Sequence, residues 1–142
     1  VTSESTPHWS ARYIGRAYVP RVFDCAALAA LVQREVFARE VQVPADRANA
    51  PGGRLVAAAD QIEAIKAAHT RRVATPEDGD GVLMFCRGRP SHIGVACMVP
   101  GEAGSELYVL HALASIGQVV LHRARDLARY GLAVEGFYKW IG

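Results

Sequence analysis

The hydrophobic period of this chain changes from helical to strand-like near its middle, and that change limits the folds open to it. Before Pro76-Glu77-Asp78-Gly79-Asp80-Gly81 the apolar residues recur at helical spacing; after it they fall in short strand-like blocks. Leu28, Leu31, Val32 and Val36 predict a helix from Cys25 to about Arg39, ending before Pro44. Pro44, Asn49, Pro51, Gly52 and Gly53 mark a loop. A second helix is expected from about Leu55 to Arg72, with Ile62 and Ile65 on one face and Asp60, Glu63 and Lys66 elsewhere. Strands are expected over 82–86, 92–99, 106–112, 118–122 and 134–140, with a short helix over 123–130 stopped at Gly131. Helices first and a meandering sheet afterwards predict an α+β fold, with N-terminal helices packed on an antiparallel sheet.

A chain of 142 residues is long enough for one domain with a real core, and the reading takes 1–142 as that domain. Residues 1–12 read as a loose arm, with Trp9 docking on the body. The apolar fraction of 51% and charged fraction of 21% are those of an ordinary globular protein. A net charge of +2 with scattered basic residues gives no nucleic-acid footprint. No apolar run approaches the roughly 20 residues of a membrane span, and the first residues lack the layout of a signal peptide. Cys25, Cys86 and Cys97 are too widely spaced for a disulfide framework or a zinc ribbon. Cys86 and Cys97 lie in apolar runs and read as core residues.

Cys25 differs from them. It follows Val22-Phe23-Asp24, where an extended segment turns into the first helix and Asp24 suits the N-cap. A thiol in the first helical turn faces unsatisfied N–H groups and the positive end of the helix dipole, both of which favour thiolate. The adjacent Asp24 carboxylate opposes this, so a cationic partner such as histidine is needed. The other reading is a small buried hydrophobe at the start of a core helix.

Two histidines stand in the strand region. If strands 92–99 and 106–112 form a hairpin through Pro100–Ser105, pairing Met98 with Ser105 also pairs Gly94 with Val109 and His92 with His111. Opposite residues share a face, with Cβ atoms about 4.5–5.5 Å apart. A slip of one residue sends the rings to opposite faces, and the sequence leaves that register open. Gly94 on the same face leaves room for a close neighbour such as the start of the cysteine helix. Cysteine, histidine and a third orienting group suit thiol acyl transfer. Alternatively, His92 is a loop histidine and His111 a satisfied core histidine. His8, His69 and His122 read as surface residues.

These residues carry a family resemblance. Phe23-Asp24-Cys25-Ala26-Ala27-Leu28 resembles the Asp-Cys-Ser-Gly-Leu motif at the nucleophile of NlpC/P60 cysteine peptidases, with Ala26-Ala27 in place of Ser-Gly. Gly79-Asp80-Gly81-Val82-Leu83-Met84-Phe85 is similar to the Gly-Asp-Leu strand before the family's first histidine. Ser91-His92-Ile93-Gly94-Val95 resembles its Ser-His-Val-Gly-Ile motif, and Val109-Leu110-His111-Ala112 its Ile-His-Ala motif. Gly15-Arg16-Ala17-Tyr18 resembles a Gly-x-Pro-Tyr that brings a tyrosine towards the site. The motifs occur in the family's order across residues 13–112. The compact C-terminal part is similar to the phage-tail or prophage branch.

The resemblance implies a papain-like α+β fold in which Cys25 is the nucleophile, His92 the base and then acid, and His111 the orienting group. Tyr18, Asp24 and Ser91 would lie near the substrate. The implied activity is hydrolysis of peptide bonds in bacterial peptidoglycan stem peptides, such as that between D-γ-glutamyl and a diamino acid. It needs no metal or organic cofactor. The implied partners are the stem peptide and phage-tail proteins, with delivery to the cell wall or incorporation into a tail. The readings set beside it are a tail-assembly module, a thiol acyltransferase or amidase on the same residues, and a metal site of Cys25, His92 and His111. The last lacks an evident fourth ligand.

Overall fold

The computed structural model describes residues 7–41 and 54–141, and the side chains of residues 7–41 and 62–141. Helix α1 spans Cys25–Phe37. Asp24 caps it as expected: its backbone is extended and its Oδ1 accepts from the Ala27 N–H at 3.0 Å. A cap of this kind contributes about 1 kcal/mol. The helix ends where Ala38 takes a left-handed conformation, φ 54°, and the Arg39 N–H closes on the Gln33 carbonyl. Helix α2 spans Arg54–His69. The expected loop over 44–54 lies outside the described residues up to position 53.

Six strands follow: β1 (Thr70–Val73), β2 (Gly81–Cys86), β3 (Arg89–Gly101), β4 (Gly104–Leu113), β5 (Gln118–Arg123) and β6 (Leu132–Trp140). They form one antiparallel sheet in the order β1-β6-β2-β3-β4-β5. The N-terminal helices therefore pack against a six-stranded antiparallel sheet, an α+β fold. β1 corrects the expectation that the second helix runs to Arg72. Thr70-Arg71-Arg72-Val73 pairs with Trp140 to Phe137 at the sheet edge. This strand buries too little for an alternating pattern to mark it, since Arg71 and Arg72 are exposed. Between β5 and β6 a 3-10 helix covers Ala124–Tyr130 and ends at Gly131, as the sequence predicts.

The sheet's two faces have different covers. Leu83, Ile93, Val95, Cys97, Leu110, Ala112 and Val119 point to the layer of α1 and α2, against Leu28, Ala29, Val32, Ile62 and Ile65. Alternate residues Val82, Met84, Ala96, Val109 and Leu113 point the other way, under Leu127 of the 3-10 helix and Leu132. Both strand faces being covered explains why β2–β4 read as near-continuous apolar runs. The arm is more ordered than expected: Trp9–Arg12 is a 3-10 helix. Trp9 meets Phe37 edge-on at 5.6 Å between ring centres, and its indole N–H donates to Asp78 at 2.7 Å. Residues 1–6 lie outside the described residues.

Two prolines in β3 sit where that strand has lost one neighbour. Pro90 pairs with β2 beyond the end of the β4 ladder, and Pro100 pairs with β4 beyond the end of the β2 ladder. A missing N–H is tolerated there. The turn before β2 is fixed by two residues of the Gly79-Asp80-Gly81 motif. Buried Asp80 accepts from the Glu77 N–H at 2.8 Å and from Lys139 Nζ at 3.2 Å. Gly79 has φ +92°, its carbonyl accepts from buried Gln33 Nε2 at 2.9 Å, and a Cβ there would drive into the Phe37 ring. Gly79→Ala is expected to destabilise the protein by roughly 2 kcal/mol or more through left-handed strain and overpacking. Urea unfolding should show the loss as a lower midpoint with an unchanged slope.

Candidate active site

The β3–β4 hairpin decides where the histidines go. Its ladder pairs Met98 with Leu107, Val95 with Leu110 and Gly101 with Gly104. This is two residues away from the expected register, because the strands continue through Pro100 and Ser105 to a tight turn at Glu102-Ala103. The slip is even, so His92 and His111 keep a common face while ceasing to be directly opposite. They are diagonal neighbours, and the rings bridge the offset: His92 Nε2 and His111 Nδ1 are 2.8 Å apart. Side chains two positions off register are about 7–8 Å apart at the backbone, within reach of two imidazoles.

Gly94 does not admit the cysteine helix. Its vacant side-chain volume is taken by Val109 and Met84, both pointing away from α1. His92 is paired with Met84, and His111 with Val120, so both rings leave the sheet on that second face. His111 is fully buried and His92 nearly so.

The pair is a triplet. His111 Nε2 lies 3.0 Å from Nδ1 of His122, which β5 places opposite Val109. His122 in turn stacks on Tyr130 of the 3-10 helix, ring centres 4.0 Å apart and nearly parallel. His122 is therefore half-buried and bonded, not the surface residue expected. Nothing local in Leu121-His122-Arg123 signals this; only the strand order β3-β4-β5 brings the three rings into line. His8 is also engaged, with Nε2 2.8 Å from Asp78 Oδ1, and His69 ends α2.

Cys25 occupies the first position of α1, half-buried at the margin of the helix-side core. Its end of the helix matches the His92 end of β3. Gln33 and Phe37, near the other end of α1, meet Gly79, whose N–H bonds to Ala96, so the helix runs alongside β3 from the His92 end. The segment before Cys25 is also at that end. Gly15 and Tyr18 donate to the Val119 and Gly117 carbonyls at the start of β5. Contact between the thiol and His92 would be made around the end of the sheet, since the rings and α1 belong to opposite faces. Among the three residues that the resemblance puts near a substrate, Asp24 uses one oxygen as the helix cap. Ser91 is buried at a bulge in β3, where Met84 pairs with His92 and Phe85 with Pro90, and its hydroxyl faces the Arg89 carbonyl at 3.4 Å. Tyr18 is half-buried against the helix-side core. Cys97 is buried, as expected, and Cys86 half-buried.

Among the described residues the one buried side-chain nitrogen or oxygen without a partner is Trp140 Nε1. His92 Nδ1 is therefore either bonded or in reach of solvent. Burial lowers the His92 pKa to about 4. Burial lowers that of His111 still further, helped by its histidine neighbours. His122 is lowered by partial burial, against the opposing charge of Asp126. All three rings are thus neutral near pH 7, and a neutral imidazole can accept a proton. No group of three or more His, Cys, Asp or Glu among the described residues is arranged to hold a metal ion. No described helix is long and apolar enough to cross a membrane.

Comparisons with models of known protein families, with curated proteins and with solved structures find no match for this chain.

The buried rings make stability depend on acid. A histidine held neutral in the fold and normal when unfolded contributes no penalty above pH about 6.5. As pH falls towards 4 the unfolded chain binds the proton first, and stability is lost. For His92 the loss is on the order of 3 kcal/mol across that window, at about 1.4 kcal/mol per pH unit of difference. Denaturation followed from pH 7 to pH 4 should therefore show falling stability, and His92→Gln should flatten the fall. An unaltered slope in that variant would assign the acid sensitivity to other groups.

Proposed function

We propose that this protein is a papain-like cysteine peptidase of the NlpC/P60 type that hydrolyses peptide bonds in bacterial peptidoglycan stem peptides. The observation that carries the reading is the 2.8 Å contact between His92 Nε2 and His111 Nδ1, which leaves His92 Nδ1 for a thiol. The ordered motifs around Cys25, Gly79-Asp80, His92 and His111 support it, as does the position of Cys25 at a capped helix N-terminus on the His92 end of β3.

In this mechanism His92 Nδ1 accepts the Cys25 thiol proton, and the helix N-terminus stabilises the thiolate. The thiolate attacks the scissile carbonyl, and the oxyanion is held by backbone N–H groups, including that of Cys25. His92 then protonates the leaving amine, and water activated by the same ring hydrolyses the acyl-enzyme. His111 holds the His92 ring in the required tautomer. Tyr18, Asp24 and Ser91 flank the substrate. The preferred bond is that between D-γ-glutamyl and a diamino acid, and the setting is a phage or prophage tail, with tail proteins supplying delivery to the wall.

Digestion of purified peptidoglycan tests the reading. The protein should release new amine termini within stem peptides, detectable by mass spectrometry, and Cys25→Ala should lower the rate by at least about 1000-fold while remaining folded. Acyl exchange to an added amine without hydrolysis would make the protein a thiol acyltransferase. No cleavage of several wall chemistries by folded, reduced protein would overturn the peptidase reading and leave a tail component that works through its surface.

A further inference from the structure

The His92–His111 pair continues outward, and that extension has a chemical consequence. A buried imidazolium is costly on either inner ring, yet a base must carry a proton while the thiolate attacks. The chain of contacts Nε2 to Nδ1, then Nε2 to Nδ1, has one polarity from His92 to His122. With every ring neutral and Nδ1 of His92 unprotonated, each ring must carry its hydrogen on Nε2 and donate it to the next.

We propose that His122 is the outer member of a three-histidine proton relay, a positioning residue that fixes the His111 tautomer and receives the positive charge when His92 accepts the thiol proton. The inference rests on the peptidase reading for the source of that proton. The step balances by three transfers. The Cys25 S–H bond breaks and an Nδ1–H bond forms on His92, with the electron pair left on sulfur. The Nε2 hydrogen of His92 passes to Nδ1 of His111. The Nε2 hydrogen of His111 passes to Nδ1 of His122, which keeps its own Nε2 hydrogen and becomes the imidazolium. In reverse, the Nδ1 hydrogen of His122 returns to Nε2 of His111 and the Nδ1 hydrogen of His111 to Nε2 of His92, which makes His92 the imidazolium and frees its Nδ1 hydrogen for the leaving amine.

The surroundings favour the charge at the outer end. His92 and His111 are buried, whereas His122 is half-buried. The groups facing His122 are the His111 ring from β4 and, from the 3-10 helix, the Tyr130 ring and the Asp126 carboxylate, whose charge favours an imidazolium. A flat ring over Tyr130 also gains a cation–π interaction on protonation. The same relay makes acid inhibitory. External protonation of His122 forces its Nδ1 to donate to His111, which reverses both bonds and puts a hydrogen on His92 Nδ1.

The test is nitrogen NMR of the 15N-labelled full chain, titrated without substrate. At high pH all three rings should be protonated on Nε2. As His122 titrates, His111 and His92 should both move to the Nδ1-protonated form with the same midpoint. In His122→Gln, whose amide oxygen can still accept from His111 but cannot take the proton, that shared transition should vanish. Tautomers of His111 and His92 that ignore the titration of His122 in the unaltered protein would overturn the relay, even if the variant fails to fold. On stem-peptide substrate, His122→Gln should lower kcat at least 10-fold with KM little changed and lose the acid limb belonging to His122. Unchanged kcat and pH profile would overturn the relay while leaving the peptidase reading intact. A shared NMR transition in a protein that cleaves nothing would sustain the histidine chain and overturn the role assigned to it in catalysis.

Discussion

The candidate site depends on the antiparallel register of β3 and β4. Side-chain direction along a strand has a period of two, so a one-residue slip would turn His92 and His111 to opposite faces and abolish their contact. The register is held from several sides. Gly101 and Gly104 close a tight hairpin, β2 pairs with β3 from Gly81–Val95 outward, and Gly94 receives Val109 and Met84 where any side chain would collide. These contacts are apolar packing and backbone hydrogen bonds. Two neutral imidazoles can be held together only because that larger set of interactions has already placed them.

The asymmetry between the sheet's faces follows from what covers each. Two helices supply the broad apolar surface over Val95, Leu110 and Ala112. One short 3-10 helix, through Leu127 and the Tyr130 ring, covers part of the other face. A narrower cover leaves polar side chains a route from the interior to solvent, and the line His92–His111–His122 follows it. On a face sealed by α1 and α2, three histidines in a row would have nowhere to deliver a charge. Asp24 fixes where α1 starts, and Gln33 with Phe37 fixes how far α1 reaches along β3 through Gly79.

Much of this was legible along the chain because it is local. The Asp24 cap, the start of α1 at Cys25, the change of period after Gly81 and the stop at Gly131 each depend on a few neighbouring residues. β1 is not legible in the sequence because Thr70-Arg71-Arg72-Val73 becomes a strand only by pairing with the distant β6. The expected hairpin register differs by two from the observed one because Pro100 and Gly101 look like loop residues in isolation, although β3 tolerates a proline where it has a single neighbour. His122 looks like a surface residue in the sequence for the same reason: its partner, His111, is on another strand.

The sequence by itself determined the order of the two helices and of β2 to β6, and the cap that sets Cys25 at a helix N-terminus. These rest on local sterics, capping and hydrophobic period. Tertiary structure decided the strand order, the register that joins His92 to His111, the sheet face those rings occupy, and the addition of His122 as a third ring. Those depend on backbone pairing between distant segments and on which apolar surface each face can bury, and no short stretch of sequence contains either.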